Sequence, residues 1–306
     1  MPSKLSAAYL HDEVAAHEFV ESVLWPQGAV CPHCGGMDRI TKVKANPEKR
    51  IRVGLWRCGP CKRQFTVKVG TVFEDSNIKL NLWVQAVVLM TASKKGISSH
   101  QLHRTLGVTY KTAWFMEHRI REAMRSGDLA PFGAGGIVEA DETFIGHAYP
   151  KPENARGFHH KNKILALVDR DTKHVRCMVV DHLSAKALAP ILEANIAKEA
   201  RLMTDEAGYY VPLGKAFAEH EFVTHSTGEY GRGEVHVNTL EGYFSIFKRG
   251  MKGVYQHCGK QHLHRYVAEF EFRYNNRSAN GVEDHSRAVN ALTGAVGKRL
   301  KYHGPY

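Results

Sequence analysis

Two Cys-x-x-Cys knuckles constrain this chain more than any other feature. Cys31-Pro32-His33-Cys34 and Cys58-Gly59-Pro60-Cys61 are separated by the 23 residues 35 through 57. One tight knuckle aims two thiolates at a point, and a second completes a tetrahedral set of four. Four thiolates leave no open position on an ion, so the spacing predicts a structural Zn²⁺ site held by Cys31, Cys34, Cys58 and Cys61. A redox role would need only one pair on a thioredoxin-like unit. Short strands are expected at Leu55-Trp56-Arg57 and from Gln64 to Val69, which makes residues 29–73 a zinc ribbon.

Charge sets the class of partner. The 306 residues carry 42 Lys and Arg against 31 Asp and Glu, a formal net charge of +11. Such a field favours polyanions through counterion release. Basic side chains crowd the ribbon, among them Lys42, Lys44, Arg50, Arg52, Lys62 and Arg63, and tilt it towards DNA. No apolar run approaches the roughly 18 residues of a membrane span. The opening MPSKLSAAYLHDE lacks the apolar centre of a secretory signal, so a cytoplasmic protein without a membrane partner is expected.

Changes of pattern divide the chain. Residues 1–28 are read as an N-terminal helix, running from about Ser3 to Leu24 with Leu5, Val14, Phe19, Val20 and Val23 as its core face. Residues 74–127 read as all-helical, with a packed stripe at Leu82, Ala86, Val87, Leu89 and Met90. Residues 128–136 are rich in small residues and read as a linker, and 137–306 form a C-terminal domain. In that domain three strands precede a helix, and strands and helices then alternate, the order of an RNase H-like fold.

The run Ile97 to Met124 has the pattern of a helix-turn-helix. Ser98 or Ser99 can cap the first helix, Leu102 and Leu106 share its inner face, and Gly107 supplies the turn. In such motifs the first residues of the second helix meet base edges, which points to Lys111 and Thr112. Arg119, Arg121 and Arg125 are candidates for holding phosphates.

Three acidic positions in the C-terminal domain carry the chemistry. Asp141 lies in an apolar strand, Asp205 follows the strand Arg201-Leu202-Met203-Thr204, and Glu241 lies on the helix HVNTLEGYFSIFKRG, 35 residues (206 through 240) beyond Asp205. Seven positions further on, about two helical turns, Lys248 shares the Glu241 face, and Asn238 lies beside it. Leu240, Phe244 and Phe247 form a separate apolar stripe. Mg²⁺ prefers oxygen ligands, and two such ions can bracket a phosphodiester, so carboxylates from two strands and one helix suit that chemistry. Lys248 and the adjacent Arg249 would hold DNA phosphates. Glu139 and Glu142 are neighbouring rivals for the ligand role, and Asp169, Asp171 and Asp181 read as turn residues.

These residues resemble a known family. EADETFIG, GFHHKNKILALVDR, MTDEAGYY, HVNTLEGYFSIFKRGMKGVYQH, HLHRYVAEFEFRYNNR and the closing GKRL are similar to bacterial insertion-sequence transposases of the DDE superfamily. The group in question carries an N-terminal zinc ribbon followed by stretches like GTVFEDSN and KKGISSHQLHRTLGVTYKTAW. The resemblance implies an α/β, RNase H-like core of the retroviral-integrase type, preceded by the ribbon and the helix-turn-helix. It implies cutting of element ends and joining of the freed 3′-hydroxyls to target DNA with Mg²⁺ or Mn²⁺. Asp141 and Asp205 carry over as the first two ligands. The third is Glu241 or Asn238, since the group is sometimes described with Asn, and an ionised carboxylate favours Glu241. The implied partners are double-stranded terminal repeats and target DNA, with at least a dimer of this chain on the DNA. Gly146-His147 departs from the usual pattern, so the loop that follows is expected to differ. A nuclease that cuts without joining, and a non-catalytic DNA-binding regulator, are the alternatives.

Overall fold

The computed structural model describes residues 4–127, 130–146, 153–154, 158 and 160–301. The loop after Gly146-His147 and part of the expected linker lie outside the described residues. The chain forms two compact units, residues 1–125 with 282–306, and residues 126–281.

In the first unit a 3₁₀ turn at Lys4–Ser6 precedes α1 (Ala8–His11) and α2 (Glu13–Leu24). The single helix expected from Ser3 to Leu24 is broken at Asp12. That residue is extended (φ −111°, ψ 133°), and its carboxylate caps α2 by accepting from the Ala15 N–H at 2.8 Å. The break resets the helical phase. Leu5 and Val14, expected in the core, are exposed, and Ala16, His17, Val20 and Glu21 form the buried face.

A three-stranded antiparallel sheet follows, in the order β1 (Ile40–Lys42), β2 (Trp56–Cys58) and β3 (Gln64–Phe65). Glu21 of α2 ties it down, accepting from Trp56 Nε1 and Lys42 Nζ, each at 2.9 Å. In α3 (Leu80–Ala92) the buried apolar residues are Leu80, Trp83, Val84, Ala86, Val87 and Met90, so Ala86, Val87 and Met90 of the expected stripe are in the core, whereas Leu82 and Leu89 are only half-buried. Next come α4 (Ser99–Leu106) and α5 (Tyr110–Met124). Ser98 caps α4 through the Gln101 N–H, Thr109 caps α5 through the Thr112 N–H, and Gly107 between them takes the left-handed φ of +66° that the turn requires. Leu102 and Leu106 are buried as expected.

The second unit is a mixed α/β layer structure. Its elements are β4 (Ile137–Ile145), β5 (Asn162–Asp169), β6 (His174–Val180), α6 (Ala185–Asn195), β7 (Arg201–Thr204), α7 (Tyr210–Gly214), β8 (Glu219–Phe222), α8 (Asn238–Gly250) and α9 (Leu263–Asn275), with a π-helical turn at Met251–Tyr255 after α8. The sheet order is β6-β5-β4-β7-β8, with β4, β5 and β6 antiparallel and β4, β7 and β8 parallel. Each face is apolar. Val138, Ala140, Leu165 and Leu167 pack on one side with Leu188, Leu192 and Tyr210 of α6 and α7. Ile164, Ala166 and Val168 pack on the other with Leu240, Phe244 and Phe247 of α8 and with α9, so the predicted stripe of α8 is buried. Asp169 is a turn residue, accepting from the Asp171 and Thr172 N–H groups.

The last helix, α10 (Asp284–Thr293), groups with the first unit, where the sequence reading ran the C-terminal domain to residue 306. Its anchor is Arg287, which is buried and donates to the Thr91 carbonyl at the end of α3. A backbone bond from Val72 to Ala295 adds to the attachment.

Candidate active site

The ribbon brings its four cysteines together. All four sulfurs lie within 4.8 Å of one another, with Cys31 Sγ 3.6 Å from Cys61 Sγ and Cys34 Sγ 3.7 Å from Cys58 Sγ. A tetrahedron with Zn–S bonds of about 2.3 Å has edges of about 3.8 Å, so the donor set and its spacing fit Zn²⁺. Burial raises the Cys31 thiol, but the backbone N–H groups of His33 and Cys34 and the thiols of Cys34 and Cys61 together bring it down to about 7. Cys31 and Cys58 also pack with Phe65, Trp25 and Trp56 into the small core of the ribbon.

In the second unit, register brings the carboxylates together. β4 and β7 run parallel with Ile137 opposite Arg201 and Glu139 opposite Met203, an offset of 64. Continued two residues, the same offset sets Asp141 beside Asp205, where β7 has just ended. Asp141 shares its strand face with Glu139, and Glu139 meets the start of α8, accepting from Thr239 Oγ1 at 2.8 Å and from the Leu240 N–H at 3.1 Å. The side chain of Glu139 is fully buried and paired with Arg170 at 2.7 Å. Its carboxylate thus docks α8 on the sheet. Asn238 opens α8 and Glu241 lies in its first turn, both exposed; Lys248 and Arg249 are exposed in its last turn.

Electrostatics mark the same spot. Burial, then the charges of Glu142 and Asp205, push the Asp141 carboxyl up to about 8, and Glu241 adds to the effect. Burial lifts Glu142 to about 7 despite hydrogen bonds from the Tyr210 and Tyr209 hydroxyls. Burial also raises Asp205, partly offset by the Ala207 N–H and by His225. Carboxylates that hold protons near neutrality form a site whose excess negative charge a divalent cation relieves. The oxygen-only set Asp141, Asp205 and Glu241 fits Mg²⁺ or Mn²⁺ by ligand type. Among the described residues only the cysteines form a group of three or more ligand atoms all within 4.8 Å, so these carboxylates are spread more widely than a single-ion cage.

Sequence reasoning missed His225. It sits in the 3₁₀ turn His225–Thr227 after β8, with Nε2 3.8 Å from Glu241 Oε1. Only its place after a strand could have flagged it. Tyr209 and Tyr210, which hold Glu142, were visible in the sequence only as part of a motif.

Two residues expected to hold phosphates do not face solvent. Arg121 is 0% exposed and lies 3.4 Å from the equally buried Glu117, and Arg119 is 6% exposed and donates to the Val72 and Glu74 carbonyls. Helix α5 is buried all round from Met116 to Arg121, so Arg119 and Arg121 serve packing. Lys111 and Tyr110 at its start are exposed, and Thr112 is half-buried with its hydroxyl 2.8 Å from that of Thr109.

Two family models match the chain. The transposase zinc-ribbon domain matches residues 11–64, and the ISXO2-like transposase domain matches residues 133–275. The chain belongs to the insertion-sequence transposases that combine these two domains. A protein described as an uncharacterized protein in transposable element ISH50, from Halobacterium salinarum, is 27% identical over 282 residues, covering 85% of this chain and 90% of that protein. Among solved structures, a chain of the simian T-cell lymphotropic virus intasome in complex with PP2A regulatory subunit B56 gamma matches 56% of this chain and 63% of its own length. Its identity is 14% and its TM-score 0.28, a likeness too low to carry an argument about fold. No helix among the described residues is long and apolar enough to cross a membrane.

Proposed function

We propose that this protein is a DDE-type DNA transposase with an RNase H-like core, cutting the ends of its element and joining them to target DNA with Mg²⁺ or Mn²⁺. The observation that supports the reading is the register of β4 on β7, whose last printed pair sets Glu139 opposite Met203 and whose offset, continued two residues, would set Asp141 beside Asp205. The sheet order supports the fold assignment, since an antiparallel meander followed by two parallel strands, with helices on both faces, is the layout expected of RNase H-like domains.

Asp141, Asp205 and Glu241 would hold the cations. Glu241 is the preferred third ligand because its charge acts on Asp141; Asn238 lies one turn earlier on the same helix. When bound, a pair of divalent ions activates the attacking oxygen and stabilises the leaving one. Lys248 and Arg249 would grip a phosphate of the strand being cut. Glu139 and Arg170 hold α8 in place, and with it Glu241. The ribbon, with its zinc, and the start of α5 at Lys111 and Thr112 would bind the element ends, with at least two copies of the chain bringing two ends together.

Incubation of the protein with a labelled duplex of its element end, a target plasmid and Mg²⁺ tests this reading. Nicked ends joined to the plasmid are the expected product. Binding without cutting would mark a regulator, and cutting without joining a plain nuclease.

A further inference from the structure

A cavity of about 520 Å³ begins one residue beyond Asp141, lined by Glu142 and its neighbours on β4, by Lys248, and by the π-helical turn after α8. Its size falls within the roughly 300–1,000 Å³ of small-ligand sites. Four features of its wall are unusual.

Phe144 and Phe158 stack in it with ring centroids 5.0 Å apart and planes 24° apart, and Phe158 remains 55% exposed. Among the described residues three cations line it, Lys161, Lys248 and Lys252, against the acid Glu142, whose carboxylate is turned to Tyr209 and Tyr210. Two buried polar atoms in the lining, Thr143 Oγ1 and Asn162 Oδ1, have no hydrogen-bond partner among the described residues. Buried polar groups in native proteins are almost always paired, so two such orphans in residues of one wall are out of the ordinary. Gln256, also in the wall, has a left-handed φ of +54° just after a π-helical turn, a strained position for a residue with a side chain.

The geometry points to a pocket for one unpaired nucleotide of the DNA strand that lies over the carboxylates, its base stacked on the Phe144–Phe158 pair and its phosphates held by Lys161, Lys248 and Lys252. The inference rests on the transposase reading for the identity of the strand. Lys161 Nζ now lies 4.6 Å from the Phe158 ring centroid. That exposed cation–π contact is worth about 0.5–1 kcal/mol, whereas stacking a base on an aromatic ring is worth about 1–3 kcal/mol, so a base displaces the ammonium and gains it as a phosphate partner. Gln256, which is exposed, then offers its side-chain amide to the polar edge of the base. Removing a base from the duplex costs a few kcal/mol, less at a frayed end.

The test uses the full chain without added divalent ion and a single-stranded pentanucleotide with a central 5-iododeoxyuridine. Irradiation should cross-link the base to Phe158 or Phe144, located by mass spectrometry of the digest. Phe158→Ala should weaken pentanucleotide binding about five-fold or more while changing duplex binding less than about two-fold, and Phe158→Trp should restore it. A cross-link confined to other residues, or equal pentanucleotide affinity of wild type and Phe158→Ala, would overturn the pocket. The probe needs no strand cleavage, so the two readings fail separately. Active protein that cross-links elsewhere removes the pocket alone, and inactive protein that cross-links through Phe158 keeps the pocket and removes the transposase.

Discussion

The carboxylate of Glu139 on β4 accepts a hydrogen bond from the backbone N–H of Leu240, 3.1 Å away in the first turn of α8. Val237, the residue preceding that helix, has no side-chain oxygen with which to cap it. A strand residue two positions before Asp141 thus closes the helix that carries Glu241. Glu139→Gln keeps the shape and loses the charge that Arg170 faces. The account predicts a folded protein whose strand cleavage falls about 10–100-fold at saturating DNA, the usual effect of removing a group that orients a metal ligand. DNA affinity should change little. Gel-shift and cleavage assays on one preparation check the split.

The cysteine cage predicts one tightly held zinc per chain. Structural zinc can contribute about 10–16 kcal/mol of apparent binding energy, enough to decide whether a ribbon folds. Cys58→Ser should release the metal and unfold the ribbon while the second unit keeps its structure. Elemental analysis with limited proteolysis reads both. Wild-type protein purified under reducing conditions without zinc would contradict the assignment.

Arg121 separates stability from DNA binding. Arg121→Ala leaves the carboxylate of Glu117 buried without that guanidinium, a loss of about 3–5 kcal/mol for broken buried pairs. Denaturant unfolding should show that loss. Lys111→Ala, at an exposed position, should leave stability within about 0.5 kcal/mol and weaken discrimination for element ends.

The ribbon, the boundaries of α4, α5 and α8, and the positions of Asp141, Asp205 and Glu241 were legible because each rests on local signals: knuckle spacing, caps, a glycine turn and apolar periodicity. What was not legible depends on distant partners. Asp12 looks like any polar residue until its cap divides the first helix. Arg119 and Arg121 look like surface cations because Glu117 and the carbonyls that receive them lie elsewhere. Glu139 and Asp141 are chemically alike and share a strand face, and only the docking of α8 and Arg170 assigns them different work. His225 and the placement of α10 follow from chain reversals that no periodicity encodes.

Raised carboxyls give the site a pH signature. Asp141 is raised to about 8 and Glu142 to about 7, so the folded protein holds protons that the unfolded chain releases near pH 4. The metal-free protein should therefore lose stability as pH rises from about 4 to about 8. Mg²⁺ bound at these carboxylates would displace those protons, so its stabilising effect should be larger at pH 8.5 than at pH 6. Thermal melts with and without Mg²⁺ at the two values test this. An equal Mg²⁺ shift at both would contradict it.

The central claim is that Asp141 and Asp205 share a cation site that drives both strand cleavage and strand transfer. Asp205→Asn keeps the side-chain shape and removes the charge. With a labelled element-end duplex, a target plasmid and Mg²⁺, the variant should bind the end as the wild type does and lose both nicking and joining, since one metal pair serves both steps. Glu241→Gln should behave alike, whereas a more damaging Asn238→Ala would move the third ligand to Asn238. Wild-type levels of nicking and joining by Asp205→Asn would contradict the account.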